Sequence, residues 1–289
     1  MTFKVFITTN EKQRLGALLS RYTIEKYTKH SDKFEISTIE VEKVPEIRML
    51  FGKSYLRDGR ETNFDSANLQ SFTLTRFMPP ELMNYEGRSV VLDPDVFATY
   101  SDIWELLSMD MGEAAIMCRK QKSDVWGSSV MLLDNTKLKH WSIRQIVQNL
   151  LSLSLDYKDV MSLVNEKAPI AELSKDWNSF DELNASTKLL HNTQRNTQPW
   201  RAGLKLDYQP KPMKPLFGVL RREWVHTLLG KNPNRHREHP DKRQTDFFFG
   251  QLKSAMLEGR ISRTDVELEV ARKHVRPDAL SLVETVAPL

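Results

Sequence analysis

An α/β fold built around a wound, mainly parallel sheet is predicted by three observations. Strand, helix and strand signals follow one another from the first residues, short apolar runs recur further along, and helical periodicity returns between them. Residues 3–9 (FKVFITT) form a short β-rich run. Asn10 then opens a stretch with apolar side chains at Leu15, Leu18, Leu19, Tyr22 and Ile24, a spacing that suits a helix. Residues 34–41 (FEISTIEV) alternate apolar and polar side chains, so a second strand completes a βαβ start.

Polar residues with Gly52 and Gly59 dominate 51–71, which predicts an irregular loop before a helical segment over 72–83. Residues 88–92 (RSVVL) make a compact apolar strand that runs straight into Asp93-Pro94-Asp95, and 103–107 reads as a short helix. Two further buried-type strands are expected at 114–118 (AAIMC) and 130–133 (VMLL), separated by a polar loop containing Trp126, Gly127, Ser128 and Ser129. Helical periodicity spans 143–155, and 188–190 (KLL) is a last short strand delivering His191 at its end, with a closing loop over 192–203.

Beyond Leu204 the composition changes. Pro210, Pro212 and Pro215 fall close together, and Arg221, Arg222, Lys231, Arg235, Arg237, Lys242 and Arg243 gather the cations. Two amphipathic helices are expected at 247–257 and 264–274, separated by Gly259. The expected organisation is therefore a first domain over 1–204 and a basic, mostly helical appendage over 205–289.

Composition narrows the classes. The chain has 289 residues, 40% hydrophobic and 28% charged, as expected of a globular protein and not of a disordered or fibrous one. Cys118 stands alone, which excludes an intrachain disulfide and a zinc cage of several thiolates. No stretch approaches the roughly 20 apolar residues of a membrane span, and residues 1–10 lack a signal-peptide pattern, so a cytoplasmic location is expected. The net charge of +4 is concentrated late in the chain. That segment, with Trp224 beside Arg221 and Arg222, suits peripheral contact with an anionic membrane surface or a charged glycan, solvated surface charge being the plainer alternative. A nucleic-acid-binding function rests on these cations alone and is disfavoured.

The chemistry-bearing residues begin with Asp93 and Asp95. On a strand, side chains two apart share a face, so these carboxylates are expected side by side. Two carboxylates with open positions suit a hard divalent cation, Mn²⁺ or Mg²⁺, that also takes phosphate oxygens. Taken alone, Asp-x-Asp is weak evidence, and a polar turn explains it equally well.

With its neighbours the pattern says more. In the order of an Arg-bearing helix, a Pro-Glu-Leu turn, an apolar strand, Asp-x-Asp and a short helix, residues 72–107 resemble GT-A-fold glycosyltransferases, in particular the retaining group that contains glycogenin and bacterial lipopolysaccharide galactosyltransferases. Residues 189–200 (LLHNTQRNTQPW) are similar to that family's strand, His, polar loop and Pro-Trp, and the resemblance covers about 3–203. It implies a GT-A-type nucleotide-sugar-binding domain, with His191 as third metal ligand beside Asp93 and Asp95. It also implies Thr8 and Asn10 near the base, Arg76 near the ribose or phosphates, Ser128 and Ser129 at the sugar pocket, and Trp200, after the phosphate loop, among the nucleotide-sugar-binding residues. The donor would be a nucleotide-diphosphate sugar, UDP-linked, and the acceptor a glycan or a lipid-linked hydroxyl. Two departures stand out. The family's Asp-Gln pair falls near Tyr157-Lys158-Asp159 here, and its Gly-and-Lys phosphate loop reads Gln194-Arg195-Asn196-Thr197-Gln198, with Arg195 a candidate replacement cation. A non-catalytic relative that binds nucleotide or glycan without turnover is the alternative that the first departure leaves open.

Overall fold

The structure is a computed structural model that describes residues 2–122, 125–206 and 234–289. Packing divides the chain into two compact units, Met1–Asn192 and Thr193–Leu289.

The first unit is organised by a six-stranded sheet in the order β2-β1-β5-β8-β7-β9. Its strands are β1 (Phe3–Thr9), β2 (Glu35–Glu40), β5 (Arg88–Leu92), β7 (Ile116–Lys122), β8 (Val125–Asp134) and β9 (Ile170–Glu172). β1 pairs parallel with β2 and β5, and β7 with β9, whereas β8 is antiparallel to both β5 and β7. The sheet is therefore mixed and mainly parallel, as expected.

Alternation along the strands builds two cores. Val5, Ile7, Val90, Leu92, Val130 and Leu132 pack on one face with residues of α1 (Arg14–Tyr27) and α4 (Ile103–Leu107). Phe6, Val91, Met131 and Leu133 face the other way, against α2 (Pro45–Arg48) and α5 (Ile143–Leu151). A strand buried on both faces has no polar side to show, which is why 88–92 and 130–133 read as apolar runs.

A smaller sheet, β10-β11-β6, carries the parts that matter for the site. β6 (Val96–Ala98) leaves the turn after β5, β10 is Ser179–Phe180, and β11 is Leu189–His191. Elsewhere, β3 (Ser54–Arg57) and β4 (Arg60–Asn63) form a hairpin where an irregular loop was expected. Its turn residues Asp58 and Gly59 both have positive φ, 56° and 71°, the geometry that Asp-Gly adopts readily in two-residue hairpins. The segment 72–83 resolves into a 3-10 turn (Thr73–Phe77) and α3 (Pro79–Leu82), and the helix expected over 143–155 stops at Leu151 before α6 (Tyr157–Met161). Ser128 and Ser129 lie within β8 and not in a loop, because the strand begins at Val125.

Asp102 joins α1 to α4. Its carboxylate caps α4 at Trp104 N (2.9 Å) and accepts from Lys29 N (2.9 Å), Thr28 Oγ1 (2.7 Å) and His30 Nδ1 (2.7 Å). Burial pushes this carboxyl up, but those donors outweigh it and hold it at about 2. A depressed carboxylate contributes stability above its unfolded value and loses it as pH falls through the folded one. Asp102→Ala is therefore expected to cost about 1–2 kcal/mol at pH 7. The gap between variant and parent in urea denaturation should narrow as pH falls from 5 towards 3; a gap independent of pH would show that the charge contributes nothing.

The second unit contains three helices among its described residues, α7 (Lys242–Leu257), α8 (Arg263–Ala271) and α9 (Ala279–Thr285), the last not anticipated. A Ser262–Asp265 capping box starts α8. Pro210, Pro212, Pro215, Arg221, Arg222, Trp224 and Lys231 lie outside the described residues. Arg235 and Arg237 are described: Arg235 Nη1 donates to Gly203 O (2.5 Å) and Arg237 N to Asn196 O (2.7 Å), so both brace the 193–206 segment. No described helix is long and apolar enough to cross a membrane.

Candidate active site

The end of β5 meets β8 at Ser129 and, through β6, the end of β11. Asp93 and Asp95 do not continue a pleated strand: Val96 N donates to Asp93 O (3.3 Å), closing a turn between β5 and β6 that brings the two carboxylates together. Antiparallel pairing of β6 with β11 sets His191 opposite Val96, and Asn192 N donates to Asp95 O (3.1 Å). Residues about a hundred positions apart are thus joined by ladder hydrogen bonds. Gly16 of α1 lets the turn approach, since a Cβ there would lie 2.6 Å from Pro94 O.

One ligand atom from each of Asp93, Asp95 and His191 lies within 4.8 Å of the others, and all three side chains are buried. His191 Nε2 is 3.2 Å from Asp95 Oδ1 and 3.9 Å from Asp93 Oδ2. Donor atoms about 2.1 Å from one ion lie up to roughly 4.2 Å apart, so the trio needs only a small inward shift to share a cation. The donor set of two carboxylate oxygens and an imidazole nitrogen fits Mn²⁺ or Mg²⁺.

Asp93 has a second partner. Arg76 Nε donates to Asp93 Oδ1 (2.8 Å), Nη2 donates to Oδ2 (2.5 Å), and Nη1 donates to Ser128 Oγ (2.9 Å). Burial pushes the Asp93 carboxyl up, against the pull of the Arg76 guanidinium. Burial disfavours the charged imidazolium of His191, yet the neighbouring Asp95 and Asp93 carboxylates outweigh it and raise its pKa. The pocket is thus built to hold positive charge at the position that Nε2 faces.

A residue that the sequence did not single out orients the imidazole. Asn178, fully buried at the end of a 3-10 turn (Lys175–Asn178), accepts through Oδ1 from His191 Nδ1 (2.8 Å) and donates through Nδ2 to Ser129 Oγ (3.1 Å). With Nδ1–H bonded to Asn178, Nε2 is the nitrogen that faces the two carboxylates, carrying a proton when the ring is charged and offering its lone pair when a cation takes that proton's place. Such outer partners fix the tautomer and ring orientation of metal-binding histidines. Asn178→Ala is expected to lower Mn²⁺ affinity by about 10–100-fold in calorimetry; unchanged affinity would show that packing against Phe180 suffices to hold the ring. The signal available was position alone: Asn178 directly precedes β10, which pairs with β11 and aligns Phe180 with His191.

The other expected residues distribute as follows. Thr8 is fully buried and its hydroxyl donates to Leu92 O (3.0 Å), so it ties β1 to the strand that ends at Asp93. Asn10 is nearly fully buried; its Nδ2 donates to Asn68 O, Leu69 O and Ser71 Oγ (3.1, 3.1 and 2.9 Å), and its Oδ1 accepts from Gln13 N (3.1 Å). The side chain is taken up in holding the 68–71 loop and capping the turn before α1. Arg76, Ser128 and Ser129 join the Asp93 cluster directly or through Asn178. Arg195 and Trp200 belong to the second unit. There Arg195 O accepts from His236 Nδ1 (2.7 Å), and the buried Trp200 ring stacks on Phe248 with centroids 4.6 Å apart.

No family model matches the sequence, and no curated protein matches it. Solved structures do. The glycosyltransferase GlyE of Streptococcus pneumoniae TIGR4 is 15% identical with a TM-score of 0.48, over 81% of this chain and 65% of that one. The galactosyltransferase LgtC, solved with donor and acceptor sugar analogs, is 13% identical with a TM-score of 0.46, over 69% of this chain and 89% of that one. Mouse xyloside xylosyltransferase 1 is 10% identical with a TM-score of 0.44, over 67% of this chain and 98% of that one. The chain is thus similar, distantly, to glycosyltransferases of known structure, and it spans 65% of the length of GlyE.

Proposed function

We propose that this chain is a metal-dependent glycosyltransferase that moves a sugar from a nucleotide-diphosphate donor, UDP-linked, to a hydroxyl of a glycan or lipid-linked acceptor with retention. The observation that carries this reading is the convergence of Asp93, Asp95 and His191 beside the Arg76 guanidinium. Mn²⁺ or Mg²⁺ bound there would offset the charge that develops on a departing diphosphate. The protein's own contribution is preorganisation. Asn178 keeps the His191 Nε2 lone pair directed inward, Arg76 holds Asp93 in one orientation, and the burial of all three ligands strengthens each electrostatic contact. Arg76 Nη1, which donates to Ser128, would bond a phosphoryl oxygen in this reading. The catalytic part is proposed to run through residue 204, so that it takes in Arg195 and Trp200, with 205–289 as an appendage.

The test is a panel of UDP-, GDP- and ADP-sugars in thermal melts with and without Mn²⁺. A donor at a hundred times its Kd should stabilise the native state by about 2.7 kcal/mol, and only with the metal present. If every donor is inert in the presence of manganese, the reading fails. Tight donor binding with no hydrolysis and no transfer would make the chain a non-catalytic relative.

A further inference from the structure

The β3–β4 hairpin covers a cavity of about 370 Å³ lined by Arg57, Gln70, Thr73, Arg76, Tyr157 and Lys158, among others. A second of about 250 Å³ adjoins it, with Arg57, Gln70 and Tyr157 common to both. The aromatic wall is Tyr157 with Tyr55 and Phe64 beside it; the Tyr157 phenol is hydrogen-bonded to Thr73 Oγ1, and its ring meets Tyr55 edge-on at 5.5 Å. Arg76 closes the inner end, and the same guanidinium holds Asp93. A ligand seated here therefore lies beside the proposed diphosphate site.

The roof of this cavity is fixed from below. Asp156, which caps α6, accepts from both amides of the hairpin turn, Asp58 N (3.0 Å) and Gly59 N (2.7 Å), and Lys158 Nζ donates to Asp58 Oδ1 (2.5 Å). These contacts commit Lys158 and Asp58 to each other. Arg57 is left differently: its guanidinium sits 5.1 Å from the Tyr157 ring centroid, which orients the charge without neutralising it, and it has no carboxylate partner among the described residues. The Gln70 side-chain amide also lacks a hydrogen-bond partner among those residues. Both Arg57 and Gln70 line the two cavities. Of the three cations lining the larger cavity, Lys158 is paired with Asp58 and Arg76 with Asp93, which leaves the charge of Arg57. The smaller adds Asp65, whose Oδ1 accepts from Ala67 N (2.9 Å).

An amide able to donate and accept and a guanidinium without a carboxylate partner, set over a floor of buried aromatic rings, together suit one ligand chemistry. The hydroxyls of a sugar bond the amide, and an acidic substituent takes two parallel bonds from Arg57. We propose that this hairpin-covered cavity binds a sugar carrying an anionic group, carboxylate or phosphate, held by Arg57 and Gln70. The proposal rests on the glycosyltransferase reading for its meaning, since such a sugar is either the transferred unit of the donor or part of an acidic acceptor. A neutral hexose would gain nothing from the Arg57 charge, so the cavity should prefer the acidic sugar.

The experiment is calorimetry on the full chain and on Arg57→Gln with Mn²⁺ present, using UDP, UDP-glucose, UDP-glucuronate, and glucuronate or glucose 6-phosphate without nucleotide. In the donor case the parent prefers UDP-glucuronate to UDP-glucose and Arg57→Gln removes that preference by about 10–100-fold while UDP binding is unchanged. In the acceptor case the free acidic sugars lose affinity by the same factor and the two UDP-sugars respond alike. Arg57 is exposed on a hairpin, so the variant should melt with the parent. Equal weakening of UDP itself would make Arg57 a diphosphate ligand and overturn the proposal, as would parent-like affinity of the variant for every acidic probe. A parent that ignores UDP and UDP-sugars but loses acidic-sugar binding in Arg57→Gln would refute the transferase reading and keep the acidic-sugar site.

Discussion

Asp95→Asn is expected to lower Mn²⁺ affinity and metal-supported turnover by at least about a hundredfold, because loss of a direct ligand should exceed the 10–100-fold typical of an outer partner. The change keeps the side chain's shape and leaves Asp95 O paired with Asn192 N, so the turn and the β6–β11 pairing survive. Stability should stay within about 1 kcal/mol of the parent, since the variant also removes a buried charge. What it loses is the anionic oxygen 3.2 Å from His191 Nε2. Calorimetric titration with Mn²⁺ and turnover at saturating metal read the two effects separately. Full turnover in Asp95→Asn would remove this carboxylate from the metal site.

Replacing Arg76 by Met should have the largest effect on the fold. Arg76 and Asp93 are a buried pair with two parallel hydrogen bonds, and removing one partner strands the other's charge at a cost of about 3–5 kcal/mol. For a chain of this size that corresponds to a fall in melting temperature on the order of 10 °C. With the guanidinium gone, a divalent ion becomes the main counter-charge for Asp93. Mn²⁺ should therefore stabilise Arg76→Met more than it stabilises the parent in paired thermal melts. A variant that melts with the parent would show that Asp93 is easily neutralised by a proton; one that gains nothing extra from Mn²⁺ would separate Asp93 from the ion.

Much of the sheet was legible because its central strands β5 and β8 are buried on both faces and carry consecutive apolar side chains, as at 90–92 and 130–133. The βαβ start was legible because apolar side chains recur at helical spacing through α1, and 34–41 carry apolar residues that pack on both sides of β2, Phe34 and Ile36 on one and Ile39 and Val41 on the other. The hairpin was missed although Asp58-Gly59 is its signal, because β4 is wholly exposed and has no apolar alternation to flank the turn. Ser128 and Ser129 read as loop for the opposite reason. They are small polar residues on a buried strand, placed there because they bond Arg76 and Asn178, and neither partner is near in sequence.

The sequence by itself determined the α/β class, the apolar strand that ends in Asp93-Pro94-Asp95, and the three residue types able to hold a hard cation. Those properties reside in local composition and period, which act over a few residues. Only the tertiary structure decided that a turn, not a pleat, joins the two carboxylates, that β11 delivers His191 to Asp95, and that Asn178 aims the imidazole. The same holds for Arg57 over Tyr157 under the hairpin. Each of these depends on strand pairing or packing between segments far apart in the chain, and contact geometry of that kind leaves no periodic trace in either segment alone.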